Sequence, residues 1–166
     1  MQFSALLRQS VRQDDVVLRL GGEEFLIVLK NTDPAYLTLL AAKILDRVRS
    51  FDFDLGEGST LRKTCSIGLV PFPLFPDKPD LLSFEQGIQV ADLALYHAKH
   101  HGRDQAVALF AGPNGPAQDE DVQRLVTDLG AALDQGFLRK GSPCGPEGLP
   151  AVGTLGAAGR ALILFQ

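Results

Sequence analysis

Two glycines followed by two carboxylates form the segment of this sequence with the clearest chemical potential. Gly21 and Gly22 precede Glu23 and Glu24, and apolar β-forming runs lie on both sides. This arrangement predicts the turn of a β-hairpin, because glycine accepts positive φ without steric cost. Backbone amides can approach a phosphate closely there, and a carboxylate at the turn can ligate Mg²⁺. Taken alone, the same pattern also suits an ordinary polar hairpin tip.

Two further charged pairs could contact an anionic ligand. Lys99 and Arg103 stand four residues apart where a predicted helix ends. Arg12 precedes Asp15 by three residues, shortly before the glycines. Arginine forms bidentate contacts with phosphate or a guanine edge, whereas lysine acts as a point charge. The plain alternatives are a complement to the helix dipole for the first pair and a surface ion pair for the second.

Composition excludes several classes of protein. The 16 basic and 20 acidic residues give a net charge of −4, which argues against binding to a nucleic-acid polymer. Cys65 and Cys144 are the only cysteines, so neither a disulfide framework nor a thiolate zinc site is expected. No apolar run is long enough to span a membrane, and no secretory signal is visible. These features favour the cytoplasm. We interpret the nearby His97, His100 and His101 as solvated residues of a helix end rather than metal ligands.

Hydrophobic periodicity predicts an α/β domain that covers residues 1–111. Its predicted order is α-β-β-α-β-α-β, with the first two strands forming the hairpin. The predicted helices cover residues 3–11, 33–50 and 84–102, and the predicted strands cover residues 16–20, 25–29, 64–70 and 106–110.

The last third of the chain differs in composition from the rest. Residues 112–166 hold 10 of the 17 glycines and 5 of the 10 prolines. We therefore predict a looser appendage with one amphipathic helix near 120–135, after which no regular pattern is visible.

Four segments, in order, resemble the signatures of the GGDEF family, the diguanylate cyclase domains. The hairpin tip resembles the family's GGEEF variant, and Arg12 with Asp15 resembles its Arg-x-x-Asp product-inhibition motif. The match spans about residues 3–111 and implies a palm-like, nucleotidyl-cyclase-type sheet with flanking helices. The four segments are Arg12–Asp15, Arg19–Phe25, Thr64–Leu69 (TCSIGL) and Ala91–Arg103 (ADLALYHAKHHGR).

The resemblance implies condensation of two GTP into cyclic di-GMP with Mg²⁺ as cofactor. Glu23 would be the metal ligand and candidate base. The backbone at Gly21 and Gly22, together with Lys99 and Arg103, would hold the phosphates.

The product-inhibition motif implies a second site, for cyclic di-GMP. Arg12 and Asp15 would form it, and Lys43 or Arg19 would assist. Lys43 stands where the family has a second arginine, so its charge is kept but the planar fork is lost.

One departure from the family pattern changes the expected activity. The family's first strand carries a metal-binding Asp, and its first helix carries Asn and Asp residues that read guanine. This sequence starts inside the helix that precedes Arg12, so we expect the domain to lack both elements. The predicted function is therefore cyclic di-GMP binding with little or no cyclase activity. An active cyclase and a nucleotide-free interaction domain remain the alternatives.

The same departure bears on assembly. The expected loss of a central strand leaves sheet edges that another chain or a rearranged packing must cover. This and the pairing of domains in the family favour a homodimer. In the appendage, residues 122–133 resemble the helix that leads into EAL phosphodiesterase domains.

Overall fold

A six-stranded mixed sheet with helices on both faces organises the chain, in a computed structural model that describes residues 2–141 and 160–165. The helices are α1 (Gln2–Arg8), α2 (Pro34–Ser50), α3 (Phe84–His100), α4 (Asp119–Thr127) and α5 (Leu129–Asp134). The strands are β1 (Val16–Gly21), β2 (Glu24–Lys30), β3 (Phe53–Gly56), β4 (Ser59–Leu61), β5 (Ile67–Phe72), β6 (Ala106–Ala111), β7 (Leu138–Gly141) and β8 (Arg160–Phe165).

The main sheet has the strand order β1-β2-β8-β5-β6-β7. Strands β5 and β6 are parallel, and every other neighbouring pair in this sheet is antiparallel. Strands β3 and β4 form a separate two-stranded hairpin. The α/β fold class and the β1–β2 hairpin across the two glycines are confirmed.

Strand β8 lies between β2 and β5, which we call the central position of the sheet. It is antiparallel to both neighbours, and Phe165 is opposite both Phe25 and Ile67. We expected the family's central strand to be lacking, so that these edges would need cover. The far C-terminal strand supplies that cover from within the same chain.

Two apolar cores lie on opposite faces of the sheet. Ile27 and Ile163 point to the face covered by α1 and α2, whereas Leu26 and Leu162 point to the face covered by α3 and α4. All four side chains are buried. Strand β8 is therefore packed on both faces, as an internal strand must be.

Several elements differ from the predictions. The hairpin β3–β4 was not predicted, because its sequence is polar and its turn carries positive φ at Gly56, Glu57 and Gly58. The single helix expected near 120–135 is two helices. Asp128 has extended backbone and its side chain accepts a hydrogen bond from the Ala131 amide, so it ends α4 and caps α5.

The expectation of no regular pattern after Gly136 was wrong for two segments. Strands β7 and β8 both lie in the main sheet. The region predicted as an appendage thus contributes one edge strand and one central strand. The Gly- and Pro-rich residues 142–159 lie outside the described residues.

Gly68 permits close contact between β5 and α3. A Cβ atom at this position would lie 2.2 Å from the Ala91 carbonyl oxygen and 2.5 Å from the Leu95 amide nitrogen. Both neighbours are helix backbone, which cannot move aside as a flexible side chain could. The close packing of strand and helix explains the glycine in the TCSIGL segment.

We predict that Gly68→Ala destabilises the fold by about 1–3 kcal/mol or more, because the helix must shift away from the strand. Urea unfolding followed by circular dichroism measures this loss. Gly115→Ala is the matched control, since a Cβ there meets nothing within 4 Å. Equal stability of the two variants would contradict the close contact.

Candidate nucleotide site at the glycine hairpin

The hairpin tip is a tight turn braced by its own arginine. Gly21 is opposite Glu24, and Gly22 has φ +50°, a conformation that glycine adopts without strain. The guanidinium of Arg19 donates two hydrogen bonds to the Gly22 carbonyl oxygen, one of them from Nε at 2.9 Å. Arg19 therefore stabilises the turn that presents Glu23.

A cavity of about 360 Å³, which we call the hairpin cavity, opens beside this turn. Three phenylalanine rings form an apolar wall: Phe3 lies 5.3 Å from Phe25 and 6.1 Å from Phe53 between ring centroids. Two cations and two carboxylates line the polar part. The lining residues are Gln2, Phe3, Ser4, Arg19, Gly22, Glu23, Phe25, Phe53, Asp54, Leu55, Lys63, Thr64 and Cys65.

The sequence did not identify all of these residues. Gln2 joins α1 to the β3–β4 hairpin, because its side-chain amide donates to the Asp54 carbonyl at 2.7 Å and accepts from the Asp54 amide at 2.9 Å. This contact helps to enclose the cavity. Lys63 adds a second cation to the cavity. Its position directly before the TCSIGL segment is the sequence feature that could have identified it. The Cys65 thiol stays protonated at neutral pH, because burial and the charge of Asp104 raise its pKa to about 12.

The described residues do not provide a resident Mg²⁺ site. Within 2–141 and 160–165, no group of three His, Cys, Asp or Glu residues could hold a metal ion. Strand β8, which fills the central position, reads RALILF and contains no carboxylate. Within the described part of the chain, Glu23 would need further oxygens to hold Mg²⁺, such as those of a nucleotide phosphate.

The predicted phosphate ligands of α3 are not brought to the hairpin cavity. Lys99 is half-buried in the last turn of α3, and Arg103 is exposed with φ +57°. Neither is among the described residues that line the cavity. The neighbouring Asp104 instead forms an ion pair with Arg49 of α2 at 2.9 Å.

Asp15 holds the backbone of its own loop. Its side chain is only 6% exposed. One carboxylate oxygen accepts from the Arg12 amide at 2.9 Å, and the other accepts from the Lys30 amide at 3.1 Å. Arg8 adds hydrogen bonds to the carbonyl oxygens of Arg12, Gln13 and Asp15. Asp15 thus anchors the 12–15 loop to β2.

Arg12 projects from this anchored loop. Its side chain is exposed, and its guanidinium carbon lies 5.0 Å from the centre of the Tyr36 ring on α2. Lys43 is also exposed and follows Tyr36 by two helical turns, on the same face of α2. We call Arg12, Tyr36 and Lys43 the cationic surface. Arg19 is bonded to the hairpin tip and is not part of it.

A third group of polar residues lies where α3 meets β7. The rings of His97 and His101 stack with centroids 3.7 Å apart and an angle of 4° between them. Lys140 Nζ lies 2.6 Å from His97 Nε2. His97 is therefore partly enclosed, in contrast to the solvated residue that we expected. Burial lowers the pKa of His97, and the charges of Lys140 and His101 lower it further.

This lowered pKa predicts a loss of stability in mild acid. The unfolded chain binds a proton at His97 near the ordinary pKa of 6.5, whereas the folded chain resists protonation. Stability is full above that pH and falls as the pH decreases through it. We predict that His97→Gln flattens the stability profile between about pH 7 and 5, as measured by urea unfolding. His100→Gln should keep the wild-type slope, and an unchanged slope in His97→Gln would contradict the account.

Together, the GGEEF hairpin and the surrounding α/β sheet define a domain of the diguanylate cyclase type. The family profile "Diguanylate cyclase, GGDEF domain" matches residues 1–105, and the chain belongs to this family. Members of the family generally use Mg²⁺ and interact with GTP and cyclic di-GMP.

Several proteins with names in this family are similar to the chain. The bifunctional diguanylate cyclase/cyclic di-GMP phosphodiesterase MucR of Pseudomonas aeruginosa is 31% identical over 135 residues, which cover 81% of this chain and 18% of MucR. Diguanylate cyclase DosC of Escherichia coli K12 is 36% identical over 104 residues, 63% of this chain and 21% of DosC. The chain thus spans about a fifth of the length of these relatives. No solved structure shows significant similarity.

None of the helices in the described part of the chain combines the length and the hydrophobicity that a membrane span requires.

Proposed function

We propose that this chain is a GGDEF domain that binds cyclic di-GMP at the cationic surface and forms little or no cyclic di-GMP itself. The observation that carries the proposal is the arrangement of Arg12. Its guanidinium is exposed, rests on the Tyr36 ring and extends from a loop that Asp15 anchors. A planar fork held in this way is preorganised for a phosphate or a guanine edge.

In this proposal, the two residues of the predicted Arg-x-x-Asp site have different roles. Arg12 is the direct contact, and Lys43 adds a second positive charge on the same helix face as Tyr36. Asp15 acts as a positioning residue, since both of its carboxylate oxygens already accept backbone hydrogen bonds. Arg19 has its place at the hairpin tip rather than in this site.

The low cyclase activity rests on the composition of the hairpin cavity. Among the described residues, no group of three His, Cys, Asp or Glu side chains could hold a metal ion. The apolar β8 fills the central position without adding a carboxylate. Lys99 and Arg103 do not line the cavity. Loss of metal and phosphate contacts together removes several kcal/mol of transition-state stabilisation.

Calorimetric titration of the full chain with cyclic di-GMP tests the binding proposal. We expect Arg12→Ala to weaken binding at least tenfold, because a hydrogen bond to a charged group contributes about 1.5–3 kcal/mol. Arg124→Ala, which removes an exposed arginine from α4 behind the other sheet face, should bind like wild type. Equal affinity in Arg12→Ala and wild type would remove Arg12 from the site, and absence of binding in both would favour an interaction domain.

Incubation with GTP and Mg²⁺, followed by chromatography, tests the catalytic part separately. We expect no more product from the wild type than from Glu23→Gln. Efficient formation of cyclic di-GMP that Glu23→Gln abolishes would show an active cyclase and contradict the proposal.

A further inference from the structure

In the described part of the chain, helices cover only part of the α3 side of the main sheet. The chief sheet contacts of α3 are with β5, β6 and β8, and strands β2 and β1 lie beyond β8. Val16 and Leu18 of β1 are 37% and 46% exposed. They lie opposite Val28 and Leu26 of β2, which face the α3-side core. An apolar part of this sheet face is therefore open to solvent.

A β-bulge directs Leu20 into a groove at one end of this surface. The register with β2 shifts between Arg19 and Gly21, so Leu20 is the extra residue of β1. A bulge can re-aim a side chain in this way. Leu20 is 51% exposed and lines a groove of about 420 Å³ between the hairpin and α3. We call the combined apolar surface the open face; it comprises Val16, Leu18, Leu20, Ile88 and Leu93.

The bulge also indicates which kind of element can cover the open face. A bulged edge is poorly suited to the addition of a strand, because the bulge disrupts the hydrogen-bond ladder and twists the edge. An apolar sheet face is buried by a second layer, and in α/β folds that layer is helical. The span from Val16 to Leu20 is about 13 Å, which about nine helical residues match. The element that fits is therefore an amphipathic helix.

The charges at the two ends of the open face define the composition of that helix. The charged residues among the described lining of the groove are both acidic: Glu24 and Asp92, which are exposed. At the opposite end, Lys30 and Arg160 are exposed and lie opposite each other in the β2–β8 pair. Side-chain alternation places both on the α3 side of the sheet. The open face is thus acidic at the groove and basic at its other end.

We infer that the open face binds an amphipathic helix of a partner protein, with the basic N-terminal end of that helix over the groove. The apolar stripe of the helix covers the exposed side chains of β1, and its lysine or arginine residues pair with Glu24 and Asp92. The positive end of the helix dipole favours the same orientation. Charge pairs at the rim of an interface select the partner and its direction, whereas the apolar contacts supply most of the affinity.

Synthetic helical peptides test the inference on the full chain without nucleotide, so the outcome is independent of the proposed function. The probe is a peptide of about 14 residues with leucines at i, i+3, i+4 and i+7 spacing and two lysines in its first turn. The control peptide has glutamates in place of these lysines. Fluorescence anisotropy should show that the lysine peptide binds at least tenfold more tightly. Absence of binding, or equal affinity for both peptides, would overturn the inference.

Matched substitutions locate the binding site of the lysine peptide. Leu18→Ser should weaken binding at least fivefold, because it removes apolar area from the middle of the open face. Leu39→Ser is its control, since Leu39 is 68% exposed on α2 behind the other sheet face. Asp92→Lys should lower the preference for the lysine peptide about fivefold, whereas Asp46→Lys on α2 should leave it unchanged. Equal effects within either pair of variants would contradict binding at the open face.

Thiol reactivity distinguishes a partner helix from other occupants. In a Cys144→Ser background, Leu18→Cys places a thiol on the open face, while the remaining Cys65 is buried and protonated. Iodoacetamide should modify Leu18→Cys rapidly in the chain alone and at least tenfold more slowly with saturating lysine peptide. Protection without peptide that does not depend on protein concentration would show that the chain itself covers the face. Protection that grows with protein concentration would show a second copy there, and either result would overturn the inference.

Discussion

The sheet depends on the pairing of β8 with both of its neighbours. Strand β8 is opposite six residues of β2 and six residues of β5, and it joins the β1–β2 hairpin to the β5–β6–β7 half of the sheet. Unpaired backbone groups at the centre of a sheet are costly, so this position must be filled. Strand β8 also buries Ile163 and Phe165 against the α2 side and Leu162 against the α3 side. Both cores therefore require a segment that lies more than a hundred residues from β2 in the sequence.

The identity of the strand at the central position also shapes the candidate site. Strand β8 ends beside the hairpin, since Phe165 is opposite Phe25 and Phe25 follows Glu24 directly. The family resemblance implies a metal-binding Asp on the strand that normally occupies this position, whereas β8 is apolar. The central position is thus filled in a way that supports packing but adds no metal ligand to Glu23. The conformation of the 12–15 loop does not depend on a metal-binding Asp in the central strand. The Asp15 carboxylate fixes this loop to β2 by accepting hydrogen bonds from backbone amides.

The sequence predicted the elements whose signals are local. The Gly21-Gly22 pair located the hairpin, and the apolar stripe of α3 located that helix. It did not predict β8, because strand pairing across a long separation leaves no periodic signal and the apolar run follows a Gly- and Pro-rich segment. It also missed the anchoring role of Asp15, since a charged pair three residues apart does not show which group turns inward. Lys99 and Arg103 were predicted as phosphate ligands from the motif alone. Their position relative to the hairpin cavity is set by tertiary packing, which a local motif does not show.

Amide hydrogen exchange followed by NMR tests most directly whether β8 occupies the central position. Internal strands open only in large-scale unfolding, so their amides exchange slowly. Amides of Leu162 and Ile163 that pair within the sheet should exchange as slowly as those of Ile27 and Leu69, and far more slowly than amides of the edge strand β1. Exchange of Leu162 and Ile163 at the rate of an unstructured peptide, with Ile27 and Leu69 still protected, would contradict the central placement of β8.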